Sequence, residues 1–202
     1  MYLGALTALT LAVVPLPLVR TPLIDDTSTL TARTTAPGYL RTAFGEGWAY
    51  QPTGCTTRET AMAAAFSQPT CSVPYTQWTP VTIRDTYTGD ALQPSDVELD
   101  HLFHLRAAWD MGADQWPADK RIAFANDPAN LIVTSSAANQ DKKDRLPSEW
   151  LPPARSYRCT YSKRLAAVAT AYDLPVARAD KAAMRRACAT LPTLLGLPPL
   201  PF

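Results

Sequence analysis

A chain of 202 residues, 47% hydrophobic and 18% charged, is long enough to bury a core as one domain and too apolar to be a disordered segment. Nineteen prolines against eight glycines stiffen the loops and leave room for long helices only at 55–66, 104–116 and 162–190. The net charge of +1 argues neither for nor against a nucleic-acid partner, but residues 85–127 carry nine acids against three bases and residues 142–186 eleven bases against four acids. That split suits a domain that holds a cation beside a docking surface for a polyanion, and it equally suits two complementary faces of one fold.

Leu3 to Val19 is apolar, is closed by Pro15 and Pro17, and is followed by Arg20. A membrane span needs about 20 apolar residues without such breakers, so the run reads as a signal-peptide core. No Lys or Arg precedes it and no clear Ala-x-Ala site follows. Residues 1–20 are therefore expected to be a signal or an uncleaved anchor, the only route to a membrane. Residues 21–38 are Thr-rich and aperiodic, the pattern of a linker, which puts the folded domain at 39–202.

Cys55, Cys71, Cys159 and Cys188 form no Cys-x-x-Cys pair. Two well-separated pairs favour disulfides Cys55–Cys71 and Cys159–Cys188 among the three possible connectivities, hence an oxidising compartment and an extracellular or cell-surface protein. Four buried thiols in a cytosolic protein are the alternative.

Glu59 to Phe66 predicts a helix, with Thr56 or Thr57 as its cap. Val73 to Tyr87 alternates as one or two strands, and Thr88-Gly89-Asp90 signals a turn. Asp96 to Phe103 predicts a short strand ending at His101, with Val97, Leu99 and His101 on one face. Leu105 to Trp116 reads as helix and Asn130 to Ser135 as a second strand. Ser135 or Ser136 then caps a short helix that carries Asn139, Lys142 and Lys143 and stops at Pro147. A last helix from about Lys163 breaks near Leu174-Pro175 and resumes through Cys188. Trp109, Trp116 and Trp150 read as core.

The chemistry concentrates at Glu98-Leu99-Asp100-His101, Asn130-Leu131-Ile132-Val133 and Asn139-Gln140-Asp141-Lys142. Strand, excursion, strand and short helix make a ββα unit that would set His101 at a hairpin edge opposite the first turn of the helix. Phosphodiester hydrolysis needs an activated water, relief of charge on the phosphate and a stabilised leaving oxygen. A histidine near its ordinary value of about 6.5 can take the water's proton. Asp100 and Asn139 are hard oxygen ligands suited to one divalent ion, Mg²⁺ or Mn²⁺. Asn130 is placed to pin the loop carrying the histidine through side-chain to backbone bonds. Lys142, Lys143 and Arg145 are candidate phosphate contacts, as is Arg58, for each of which a solvated face or an ion pair within its helix is the plain alternative.

The run from Val97 to Pro153, VELDHLFHLRAAWDMGADQW and ANDPANLIVTSSAANQDKKDRLPSEWLPP within it, resembles the HNH endonuclease family in its Asp-His, Asn, Asn variant. More narrowly it is similar to secreted HNH proteins akin to the C-terminal nuclease domain of GmrSD-type restriction enzymes, over roughly 40–190. The resemblance implies an α+β fold with an HNH ββα-metal core, added helices and disulfide staples. It implies His101 as general base, Asp100 and Asn139 as metal ligands, and Asn130 as the residue that orients the hairpin. It further implies 5′-phosphate and 3′-hydroxyl products. The substrate would be nucleic acid, DNA rather than RNA, cut with low sequence specificity because no reader domain fits in the remaining chain, and with no obligate protein partner. His104 departs from the family pattern, which often has Pro or Ala there; it reads as ligand, DNA contact or neither.

Two other classes compete. A structural zinc module would use Cys55, Cys71, His101 and His104 and keep its thiols reduced. A catalytically inactive module would bind nucleic acid without cutting it.

Overall fold

The computed structural model describes residues 21–189 apart from 69 and 79–81. The expected signal or anchor segment lies outside these residues, as does part of the expected strand region 73–87. The helices are α1 (Pro22–Asp25), α2 (Thr57–Ala65), α3 (Leu105–Asp110), α4 (Ala118–Asn126), α5 (Ser136–Lys142), α6 (Arg158–Ala171) and α7 (Arg178–Cys188). The strands are β1 (Thr29–Leu30), β2 (Ile83–Arg84), β3 (Ala91–Leu92), β4 (Val97–His101), β5 (Leu131–Ser135) and β6 (Val176–Ala177), paired as three two-stranded sheets. The architecture is α+β.

Local chemistry explains the elements nearest the site. Thr56 starts α2 with a capping box: its hydroxyl accepts from Glu59 N while the Glu59 carboxylate accepts from Thr56 N at 2.7 Å. β4 and β5 pair antiparallel from Val97 opposite Ser135 to His101 opposite Leu131. Ser135 ends β5 and caps α5, its hydroxyl accepting from Ala138 N. The expected stop at Pro147 comes five residues earlier in the chain, because Lys143 takes a left-handed conformation at φ 54° and breaks the helical ladder. The excursion between the strands holds a helix that the sequence did not announce, α4, whose buried Phe124 and Ala125 face the core. The expected helix 105–116 is shorter, α3 followed by a 3₁₀ turn at Ala113–Gln115 around Gly112.

The main core joins Phe44, Trp109, Phe124, Tyr161 and the inner faces of α6 and α7; a smaller one gathers Met62, Phe66, Leu92 and Val97. Trp109 and Trp150 are buried, and Trp116 packs against the main core. Both expected disulfides are present: Cys55–Cys71 beside α2, and Cys159–Cys188 joining the start of α6 to the end of α7. Each is worth about 2–4 kcal/mol by loop closure.

The expected linker at 21–38 is instead folded onto the domain. Ile24 is wholly buried, β1 pairs parallel with β6, and Arg33 forks between Asp110 and Asp144. Periodicity missed this because the segment is held by long-range ion pairs and single apolar anchors rather than by an amphipathic face.

Candidate active site

Successive residues of β4 face opposite ways. Glu98 and Asp100 turn toward α5, and His101 turns toward α4. The two sides have different chemistry.

On the α5 side, Ser136, Asn139 and Lys142 follow one another at three-residue spacing and meet β4. Asn139 Nδ2 donates to Glu98 Oε2 at 2.5 Å, and Ser136 Oγ donates to Glu98 Oε1 at 2.8 Å. Lys142 Nζ reaches Asp100 Oδ2 at 2.9 Å and the carbonyl of His101 at 2.8 Å. Tyr87 donates its hydroxyl to Asp100 Oδ2 at 2.7 Å. Burial pushes the Asp100 carboxyl above the ordinary aspartate value, against the pull of the Lys142 ammonium and the Tyr87 hydroxyl.

On the α4 side, the His101 ring lies under Trp48, stacked at 5.1 Å and 14°. Its Nε2 is 2.9 Å from the Ala125 carbonyl, which can only accept, so Nε2 carries the proton and the lone pair sits on Nδ1. Tyr161 is the one described side chain with a polar atom sealed from solvent and unbonded. Nδ1 of His101 has no hydrogen-bond partner among the described residues, and the residue as a whole is buried. Burial holds the imidazole neutral, down at about 3, with the charges of His104, Arg41 and Lys142 adding to the effect and the Ala125 carbonyl opposing it.

Asn130 is wholly buried and braces the turn after His101: Oδ1 accepts from Phe103 N at 2.8 Å and Nδ2 donates to Phe103 O at 3.2 Å. His104 caps α3, its Nδ1 accepting from Arg106 N, and burial lowers it too to about 3.

The candidate phosphate contacts divide. Lys142 is 0% exposed and spent on Asp100, so it is no surface cation. Arg145 is turned back on Asp141 and the Lys142 carbonyl. Arg58 leans toward the Val97 carbonyl at 3.5 Å. Lys143 is exposed. The zinc alternative is overturned, because Cys55 and Cys71 are bonded to each other and cannot serve as thiolate ligands.

For a divalent ion, Glu98, Asp100 and Asn139 offer hard oxygens on one face of the hairpin, a set that fits Mg²⁺ or Mn²⁺ in kind. Asp100 is the member already balanced by a protein cation, and no hydrogen bond joins it to Asn139 among the described residues. The described residues hold no cluster of three or more His, Cys, Asp or Glu side chains suited to a metal.

Sequence reasoning singled out the stretch holding Glu98 without giving that residue a role, and it assigned none to Tyr87, Trp48 or the Ala125 carbonyl. Glu98 was findable, since it lies two residues before Asp100 on the same strand face. Trp48 and Ala125 reach His101 only through the tertiary fold and left no local signal.

A disulfide-stapled α+β domain with a hairpin and helix around a buried Asp-His pair and two asparagines is the class these features define. The chain matches the family described as GmrSD restriction endonucleases, C-terminal domain, over residues 65–187, and it belongs to that family. It is also 35% identical over 198 residues, 91% of this chain and 95% of the other, to an uncharacterized secreted protein of Arthroderma benhamiae. No solved structure matches.

Proposed function

We propose that the protein is a metal-dependent endonuclease that hydrolyses DNA phosphodiester bonds with low sequence specificity, through an HNH-type ββα core formed by β4, β5 and α5. The observation that carries this is His101: a neutral imidazole in a restriction-endonuclease family domain, fixed by Trp48 and Ala125 with its lone pair on Nδ1.

His101 Nδ1 takes the proton of the attacking water. The neutral imidazole has its lone pair free to accept that proton, and the negative charge of a bound phosphodiester favours the imidazolium that results. Asn130 keeps the backbone after His101 from moving as this happens. A divalent ion, Mg²⁺ or Mn²⁺, would be held by Asp100 and Asn139 with Glu98 alongside, and when bound supplies charge relief at the phosphate and the leaving oxygen. The nuclease domain takes in the described residues from 39 to 189, with 21–38 as its N-terminal strap. The two disulfides and the likeness to a secreted relative support an extracellular or cell-surface location.

Plasmid nicking by oxidised protein in Mg²⁺, Mn²⁺ and EDTA, with His101→Ala alongside, tests the reading. Ion-dependent nicking that disappears in His101→Ala is expected. Well-folded protein that binds DNA but never nicks it would replace this reading with the inactive binding module.

A further inference from the structure

The segment 39–48 forms a wall beside His101. Phe44 roots it in the core against Trp109 and Phe124, the Arg121 guanidinium donates to the Ala43 carbonyl at 2.9 Å, and Ala49 N donates to Asn126 Oδ1 at 2.8 Å. Trp48, at one end, covers the imidazole. Arg41 stands near the other end, where it opens a 3₁₀ turn, Arg41–Phe44.

The cations around this site are mostly committed. Lys142 is buried on Asp100, Arg106 is tied to Asp110 and lies over Tyr39, and Arg121 is bonded to backbone and lies over Trp109. Arg41 is exposed and makes no hydrogen bond or ion pair with any described residue. The turn it opens packs on α4, the helix whose Ala125 carbonyl holds His101. An uncompensated guanidinium, set on a rooted wall beside a neutral imidazole, is a receptor for an anion, and its planar fork matches two phosphate oxygens.

We propose that Arg41 binds the DNA phosphate presented to His101, as the exposed and uncommitted guanidinium on the wall whose Trp48 covers the imidazole. This rests on the nuclease reading. It assigns the phosphate contact to the segment before α2, away from the basic run at 142–145 where the sequence placed it.

The test compares wild type, Arg41→Gln and Arg41→Lys, with Arg178→Gln as an exposed cation remote in sequence. Cleavage of a short labelled duplex gives kcat and KM. Affinity of the same duplex, measured in the His101→Ala background over a range of salt, isolates binding. Arg41→Gln is expected to raise KM and weaken duplex affinity by about tenfold and to lower the salt slope by about one. Arg41→Lys should restore the salt slope but not the full kcat. The thermal midpoint should not move, since Arg41 bonds no described residue. Wild type that cleaves, with Arg41→Gln indistinguishable from Arg178→Gln, overturns the assignment and leaves the nuclease reading standing. Wild type that neither cleaves nor binds the duplex overturns both.

Discussion

Lys142 closes on Asp100 at 2.9 Å in a place where neither side chain is more than 2% exposed. A buried ion pair gains little over a well-packed apolar pair, yet losing one partner strands the other charge. Lys142→Met should therefore destabilise the protein by about 3–5 kcal/mol. Asp100→Asn combined with Lys142→Met should recover most of that. Guanidinium unfolding of wild type and the two variants checks it. A cost for Lys142→Met no larger than that of an exposed lysine would mean that the pair is open to water in solution.

Glu98 holds Asn139 and Ser136 at once. If it positions Asn139, Glu98→Ala should lower nicking by about 10–100-fold, the range seen for outer partners of metal-site side chains. Its cost in stability should be only about 1 kcal/mol. Glu98→Gln, which can still accept from Asn139 Nδ2, should fall between. Nicking at the wild-type rate in Glu98→Ala would make the contact purely structural.

His101 and His104 are both held at about 3 in the folded chain, whereas an unfolded histidine takes its proton at about 6.5. Below 6.5 the unfolded state binds more protons than the folded one, so stability must fall as pH drops toward 3. Above 6.5 these groups add no pH dependence. Urea midpoints should be level from pH 8 to 7 and fall between 6.5 and 5, before most carboxylates titrate. His104→Asn, which keeps an N-cap but cannot titrate, should flatten the fall. An equally steep fall in that variant would assign the loss to other groups.

Cys159–Cys188 ties the first turn of α6 to the last turn of α7 across 29 residues. Replacing both cysteines with serine should cost about 2–4 kcal/mol. The site residues lie on β4, α4 and α5, so nicking by the folded fraction should survive. Thermal unfolding with and without reductant separates the two effects, and loss of activity at temperatures where the variant is fully folded would contradict this division.

The motif-bearing hairpin and helix were legible because their signals are local. Alternation over 96–103 marked β4, the run 130–135 marked β5, and the serines at 135 and 136 marked the start of α5, which Ser135 caps. What surrounds the motif was not legible. Lys142 looked like a surface cation because a charge run is normally solvated, and only its packing under Asp100 says otherwise. Arg41 sits in a stretch with no period at all, yet the fold puts its charge on both histidines. Residues 21–38 resembled a linker because polar threonines hide two anchors, Ile24 and Arg33, whose partners are far away in sequence.

That N-terminal strap has a consequence for when the protein can finish folding. Thr29 pairs with Val176, and Lys181 donates to the carbonyls of Asp25 and Thr27. The segment synthesised early is thus completed by elements that leave the ribosome late. Such distant pairing slows folding and favours closure only after synthesis ends. The strap therefore cannot close until α7 has emerged, and Cys159 and Cys188 can be oxidised to each other only after that point.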